Sequence, residues 1–246
     1  MSASIYPAAV IFVAIAAIAV IMVVVIPQFE QIFIGLLGPG ELLPLPTRIV
    51  MGISGFLAGW GGLALLFSLI ATAVATKFYY KTENGRWQID SLLLKLPIFG
   101  SILRKIAVAR FSRILSTLLS SGVPILQSLD ITAKTAGNIV IEKAILKVRA
   151  GVERGENFVE PLKATNVFPH MVGQMIGVGE QTGALDAMLG KIADFYEEEV
   201  DTAIADILSM IEPMLILFLG VTIGSIVISM YLPLFTLIGK LANGQK

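Results

Sequence analysis

PAAVIFVAIAAIAVIMVVVI, residues Pro7–Ile26, decides the fold, because it runs for twenty residues without a charged side chain. A helix of ~20 residues spans the ~30 Å hydrocarbon core of a bilayer, so the stretch predicts a membrane-crossing helix. Pro7 suits its first turn, where no backbone N–H is needed, and Pro27 is expected to stop it. Working outward, charge disappears twice more, between Arg48 and Lys77 and between Glu212 and Lys240. Each gap exceeds one crossing, which predicts tilt or interfacial ends. A cleaved export signal is the competing reading of the first stretch, but Met1–Tyr6 holds no Lys or Arg to form a positive n-region. That same lack raises the expectation that the chain is the C-terminal part of something longer.

The chain is 56% hydrophobic and 15% charged over 246 residues, too apolar for an ordinary soluble domain and too charged for a pure membrane bundle. The predicted fold class is therefore all-α: a polytopic membrane protein with three transmembrane helices and one antiparallel helical bundle. The expected boundaries are a first span at 1–27, a loop at 28–48, a second span at 49–76, the bundle at 77–212, a third span at 213–239 and a tail at 240–246. Only Arg48 lies between the first two spans, whereas Lys77, Lys81, Arg86, Lys95, Arg104, Lys105, Arg110 and Arg113 follow the second. Basic residues stay on the cytoplasmic side, so the bundle is expected there, with loop and tail in the periplasm. The two lysines of the tail run against that rule, but three crossings leave the tail no other side.

In the middle region the pattern changes to amphipathic helices with clear punctuation and no alternating strands. Ile106, Phe111, Ile114, Leu115, Leu118 and Leu119 recur at helical spacing in 102–121; Gly122 ends that helix and Pro124 opens the next. Asn138 is an N-cap candidate for a third helix. A fourth runs from Met171 to Gly183, and a fifth begins at Ala184 with no breaker before Pro213. It is expected to run close to the bilayer and into the third span.

Chemistry-bearing motifs are few. Cysteine is absent, His170 stands alone, and 18 basic residues balance 18 acidic ones, which removes thiol chemistry, cysteine-bound zinc and a nucleic-acid partner. Gly177-Val-Gly179-Glu180-Gln-Thr182-Gly183 superficially suggests a phosphate loop, but no strand precedes it and its third glycine comes one residue late. Neither Gly190-Lys191 nor Gly239-Lys240 is followed by Ser or Thr, so there is no Walker A sequence. A tight turn between helices is the reading that fits. Glu197, Glu198 and Glu199 with Asp194, Asp201 and Asp206 form an acidic run; Asp194, Glu198 and Asp201 share a face by spacing, which leaves a metal or partner site open beside plain solvation. Within the spans, Gly55/Gly59 and Gly220/Gly224 read GxxxG, a pattern that lets membrane helices approach closely and points to oligomerisation. No ionisable group interrupts a span, which argues against a transport pathway built from these helices alone. No nucleophile–base set stands out, so a non-enzymatic role without cofactor is expected.

Several of these stretches resemble one family. Tyr6-Pro7 opening a span that closes with Val25-Ile26-Pro27, Leu45-Pro46-Thr47-Arg48, Leu96-Pro97-Ile98-Phe99-Gly100, Ser121-Gly122-Val123-Pro124, Val178 through Leu185, Ala193 through Val200, and Glu212-Pro213 are similar to hallmarks of the inner-membrane platform proteins of type IV pilus and type II secretion machines, the F or PilC family. The resemblance covers nearly the whole chain. It implies a multi-pass protein of the cell inner membrane that oligomerises, contacts a cytoplasmic hexameric assembly ATPase and other inner-membrane assembly components, and moves pilins or pseudopilins between membrane and fibre. It also shows a departure: family members carry two copies of the helical domain and this sequence shows only the second, as a truncated or split form would. On this reading Gly179, Glu180, Thr182, Gly183, Asp194, Glu197 and Glu198 are the expected partner surface. A membrane subunit of a small-molecule permease or export complex is the rival.

Overall fold

In the computed structural model residues 5–37 and 43–243 are described, and every regular element among them is a helix. They divide into two compact units, Met1–Val74 with Asp206–Lys246, and Ala75–Ala205.

The first unit is apolar. Helix α1 (Ile5–Val20) passes through a π-wound turn (Ile21–Val25) into α2 (Ile26–Leu37). The expectation that Pro27 ends the helix is corrected here: the helix continues to Leu37, within the segment 28–48 expected to link the first two spans. In the π turn the Ile26 N–H bonds back five residues to the Ile21 carbonyl, which makes room for the proline ring; Pro27 then has no N–H to offer Met22. The Ser54 hydroxyl donates to the Met22 carbonyl instead. Replacement of a lost backbone bond by a serine on a neighbouring helix is how apolar surroundings tolerate proline inside a helix.

Ser54 lies on α3 (Leu45–Ala58), whose first turn holds Pro46. At 14 residues, α3 is ~21 Å long, short of a crossing. The chain breaks at Gly59 and restarts as α4 (Trp60–Tyr80), long enough at 21 residues. The second charge-free run is thus two helices and not one span over 49–76. Glycine makes the break possible, since a Cβ at Gly61 would overlap the Phe56 ring and one at Gly62 the Leu57 carbonyl. Met22, Ile26, Phe33 and Met51 bury themselves against Ile226, which lies on the last helix, α11 (Leu185–Asn243). There the Thr47 hydroxyl donates to the Ser229 carbonyl. By contrast, no residue of α4 is buried. Among the described residues three helices are long and apolar enough to cross a membrane: Ala9–Phe33, Trp60–Tyr80 and a stretch within Leu185–Thr236.

The second unit is a water-type bundle of α5 (Glu83–Lys95), α6 (Phe99–Ser120), α7 (Ile125–Lys134), α8 (Ile139–Glu153), α9 (Val159–Lys163), α10 (His170–Thr182) and the start of α11. Phe111, Leu115, Leu129, Ile145, Val172, Ile176, Leu189 and Ile192 form its core. Burying each such side chain contributes ~1.5–3 kcal/mol, which offsets the cost of ordering the chain. The buried face of α6 carries Val108, Phe111, Ser112 and Leu115, while Ile106, Ile114 and Leu118 of the expected stripe stand half-buried at its margins. Asn138 caps α8, its side-chain oxygen accepting from the Val140 and Ile141 N–H groups at 2.9 and 3.3 Å. The long last helix runs through Pro213 and Pro233 and contributes residues to both units.

Candidate partner surface on the helical domain

The glycine-rich stretch is a helix end. Gly183 sits at φ +70°, a left-handed conformation that only glycine adopts cheaply, and the Ala184 N–H reaches back to the Gly179 carbonyl at 2.9 Å. A Cβ on Gly179 would stand 3.0 Å from Leu185 Cα and Met188 Cβ, so this glycine sets how closely α10 and α11 approach. The Thr182 hydroxyl turns inward to the Val178 carbonyl at 2.7 Å. Three of the expected partner residues therefore build the turn. Glu180 ties two elements together, accepting from the Phe158 N–H at the start of α9 at 2.8 Å. Beside it an open polar groove runs between α9 and α10, lined by Asn157, Glu160, Lys163, Gln174 and Gln181.

The acidic run splits into two faces. Arg113 of α6 grips Glu197 with two hydrogen bonds (2.9 and 2.7 Å) and Asp194 with a third (2.5 Å), while Lys105 holds Glu199 at 2.6 Å. The Arg113 hydrogen bond holds the Glu197 carboxyl below its usual range, and Glu197 and Asp194 together push the guanidinium of Arg113 higher still. These pairs dock α11 on α6. Glu198 and Asp201 have no hydrogen-bond or ion-pair partner among the described residues and face solvent. The arrangement disfavours the metal reading of Asp194, Glu198 and Asp201, since Asp194 is already neutralised by Arg113. Among the described residues no group of three or more His, Asp or Glu side chains converges as a metal site would require.

Two contributors are not among the expected site residues. Arg113 looks in the sequence like one of several surface cations and shows its role only when α11 lies against it. Asp90 of α5 is buried, accepting from the Ile139 N–H at 2.7 Å and the Tyr80 hydroxyl at 2.9 Å, and so pins α5 to the start of α8. A lone Asp in ENGRWQIDSLLLK gives no signal of this.

The glycine pairs of the apolar unit behave differently from one another. Gly59 is the extended residue at the break after α3, so Gly55 and Gly59 do not share a continuous helical face. Gly220 and Gly224 lie within α11, and a Cβ on either would meet nothing within 4 Å.

The family model described as type II secretion system (T2SS), protein F, matches residues 111–233, half of the chain. The chain is 48% identical over 240 residues to the type IV pilus assembly protein PilC of Myxococcus xanthus, covering 98% of this chain and 57% of that protein. It is 46% identical over 246 residues to the type IV pilus assembly protein PilC of Thermus thermophilus, covering 98% and 59%. To the type II secretion system protein F of Pseudomonas aeruginosa it is 30% identical over 235 residues, covering 96% and 57%. The chain thus spans a little over half the length of these relatives.

Proposed function

This chain belongs to the family of type II secretion protein F and type IV pilus assembly protein PilC, and we propose that it is a non-enzymatic inner-membrane platform of a pilus or secretion-pseudopilus assembly machine. On this reading the helical unit faces the cytoplasm and meets a hexameric assembly ATPase, while the apolar unit meets pilins or pseudopilins, lipid, other inner-membrane assembly components and a second copy of the chain. No nucleic acid and no cofactor enter the scheme.

The observation that carries it is α11, one unbroken helix whose first turns present Glu198 and Asp201 to solvent and whose later turns are the apolar run 213–239. A partner that pulls on the acidic face acts on a segment covalently continuous with a membrane span. The proposed contact surface comprises Gly179, Glu180, Thr182, Gly183, Asp194, Glu197 and Glu198. Among these Glu198 offers a free charge, whereas reversing Glu180 or Glu197 would also break a bond that holds the domain together.

The test is therefore Glu198→Lys combined with Asp201→Lys in cells that depend on this protein for fibre assembly or secretion. Loss of the ATPase from the copurified complex, with normal protein level, is expected. Full copurification and normal fibres would refute the surface. For oligomer contacts, Gly220→Leu is expected to shrink the detergent-extracted oligomer, because leucine keeps two backbones from touching. An unchanged size excludes that face.

A further inference from the structure

The helical domain buries its core well, yet five large apolar side chains between positions 92 and 99 stand exposed, Leu92, Leu93, Leu96, Ile98 and Phe99, with Leu92 and Ile98 63% and Phe99 60% exposed. They lie at the end of α5 and in the turn to α6. That turn is strained. Ile98 stands at φ +70°, ψ −65°, and the Phe99 N–H closes a three-residue ring on the Pro97 carbonyl at 2.8 Å. This is the positive-φ γ-turn, costly for a β-branched residue. The surroundings hold it in place: the Ser101 hydroxyl donates to the Ile98 carbonyl at 2.7 Å, and at Gly100 a Cβ would collide with the Leu94 carbonyl. A fold that keeps a strained backbone in order to show isoleucine and phenylalanine to the outside points to something apolar that receives them.

Charge and tether identify the receiver. Lys95 and Arg104 flank the bare patch, are exposed, and make no ion pair or hydrogen bond among the described residues. Together with Lys105 they line a groove under the turn whose acidic residue, Glu199, is bound to Lys105. Cores of protein interfaces are depleted of lysine, whereas at a bilayer surface lysine and arginine reach phosphates while their neighbours enter the acyl boundary. Only Lys81 and Thr82 separate α5 from α4, which is read as a membrane span. Two linking residues and the 13 of α5 keep Lys95, where the patch begins its turn, within about 27 Å of the end of that span, whatever the direction of α5. Exposed Phe78, Tyr79 and Trp87 add the aromatic residues common at headgroup level.

We propose that the end of α5 and the turn Leu96–Phe99 form a lipid-seated elbow, in which Leu92, Leu96, Ile98 and Phe99 enter the surface of an anionic leaflet and Lys95 and Arg104 bind its phosphates. The proposal rests on α4 being a membrane span and not on the choice of protein partners.

The chain has no cysteine, so single labels are clean. The full chain carrying Phe99→Cys, or Leu146→Cys on α8 as the control, is nitroxide-labelled and reconstituted in phosphatidylcholine vesicles with and without phosphatidylglycerol. The label at position 99 is expected to collide several-fold more with oxygen than with a water-soluble nickel complex, and the label at 146 to show the opposite order. Equal nickel access at both positions overturns the elbow. Shielding of position 99 from both reagents also overturns it, because that result means a protein covers the patch. Lys95→Glu with Arg104→Glu, like omission of phosphatidylglycerol, is expected to raise nickel access at position 99. An unchanged profile in either overturns the phosphate contacts, provided circular dichroism shows the helices retained.

Discussion

Ser54 in the apolar unit and Asp90 in the helical unit each accept or donate one hydrogen bond that the backbone of another helix needs, yet they do so in different solvents. Ser54 satisfies a carbonyl that Pro27 has left without its partner. Asp90 satisfies the first N–H of α8 and holds Tyr80 besides. In lipid the chain before assembly already satisfies its groups within helices, so one interhelical bond adds little, ~0.6–2 kcal/mol. In water, burying an N–H without a partner costs its whole hydration, ~1–3 kcal/mol, and more where a charge is involved. Arg113 is a third case, an ion-pair cluster open to water on one side, with the arginine 42% and Glu197 49% exposed. The lesson is that burial and the reference solvent, rather than the kind of bond, set what a polar contact contributes.

Substitutions at Asp90, Ser54 and Arg113 probe this ranking. Asp90→Ala is expected to cost the helical unit ~1–3 kcal/mol, because it strands the buried Ile139 N–H, while the exposed Tyr80 hydroxyl can turn to water. Thermal unfolding in detergent, followed by circular dichroism, measures it; a change too small to see would mean that water reaches Asp90. Ser54→Ala should cost about 1 kcal/mol, and less still in a background where Pro27→Ala restores the backbone donor. If the two substitutions were additive, Ser54 would not be answering the proline. Arg113→Gln comes last, well below 1 kcal/mol after allowance for screening.

The same cluster fixes the sign of a small pH effect. Arg113 lowers the Glu197 carboxyl, so the folded state holds the charged form more tightly than the unfolded chain does. Its contribution is present above the ordinary glutamate range and fades as the pH falls through the lowered value. A titration of stability from pH 6 towards pH 3 should therefore fall less in Arg113→Gln than in the parent.

Much of the fold was readable. The charge gaps gave the three apolar stretches, and Gly122, Pro124, Asn138 and Gly183 marked helix ends correctly because caps and left-handed residues act locally. The two departures of the structure from the sequence pattern share one cause. Pro27 was expected to stop a helix that in fact continues, and 49–76 was expected to be one helix where a glycine break makes two. In both cases a neighbouring helix or a close backbone approach decides, and periodicity contains neither. The candidate surface divides likewise: its residues stand out as glycines and acids in sequence, but not which of them are already occupied.

What the sequence determined alone is which segments leave water and where helices begin and end, since hydration of charged groups and local capping depend on a few adjacent residues. The tertiary structure decided which polar groups remain free. Asp194 and Glu197 are consumed by Arg113 some eighty positions away, Glu180 by Phe158, and Glu198 by nothing described. Such pairings depend on helices meeting across the fold, so composition and spacing cannot contain them.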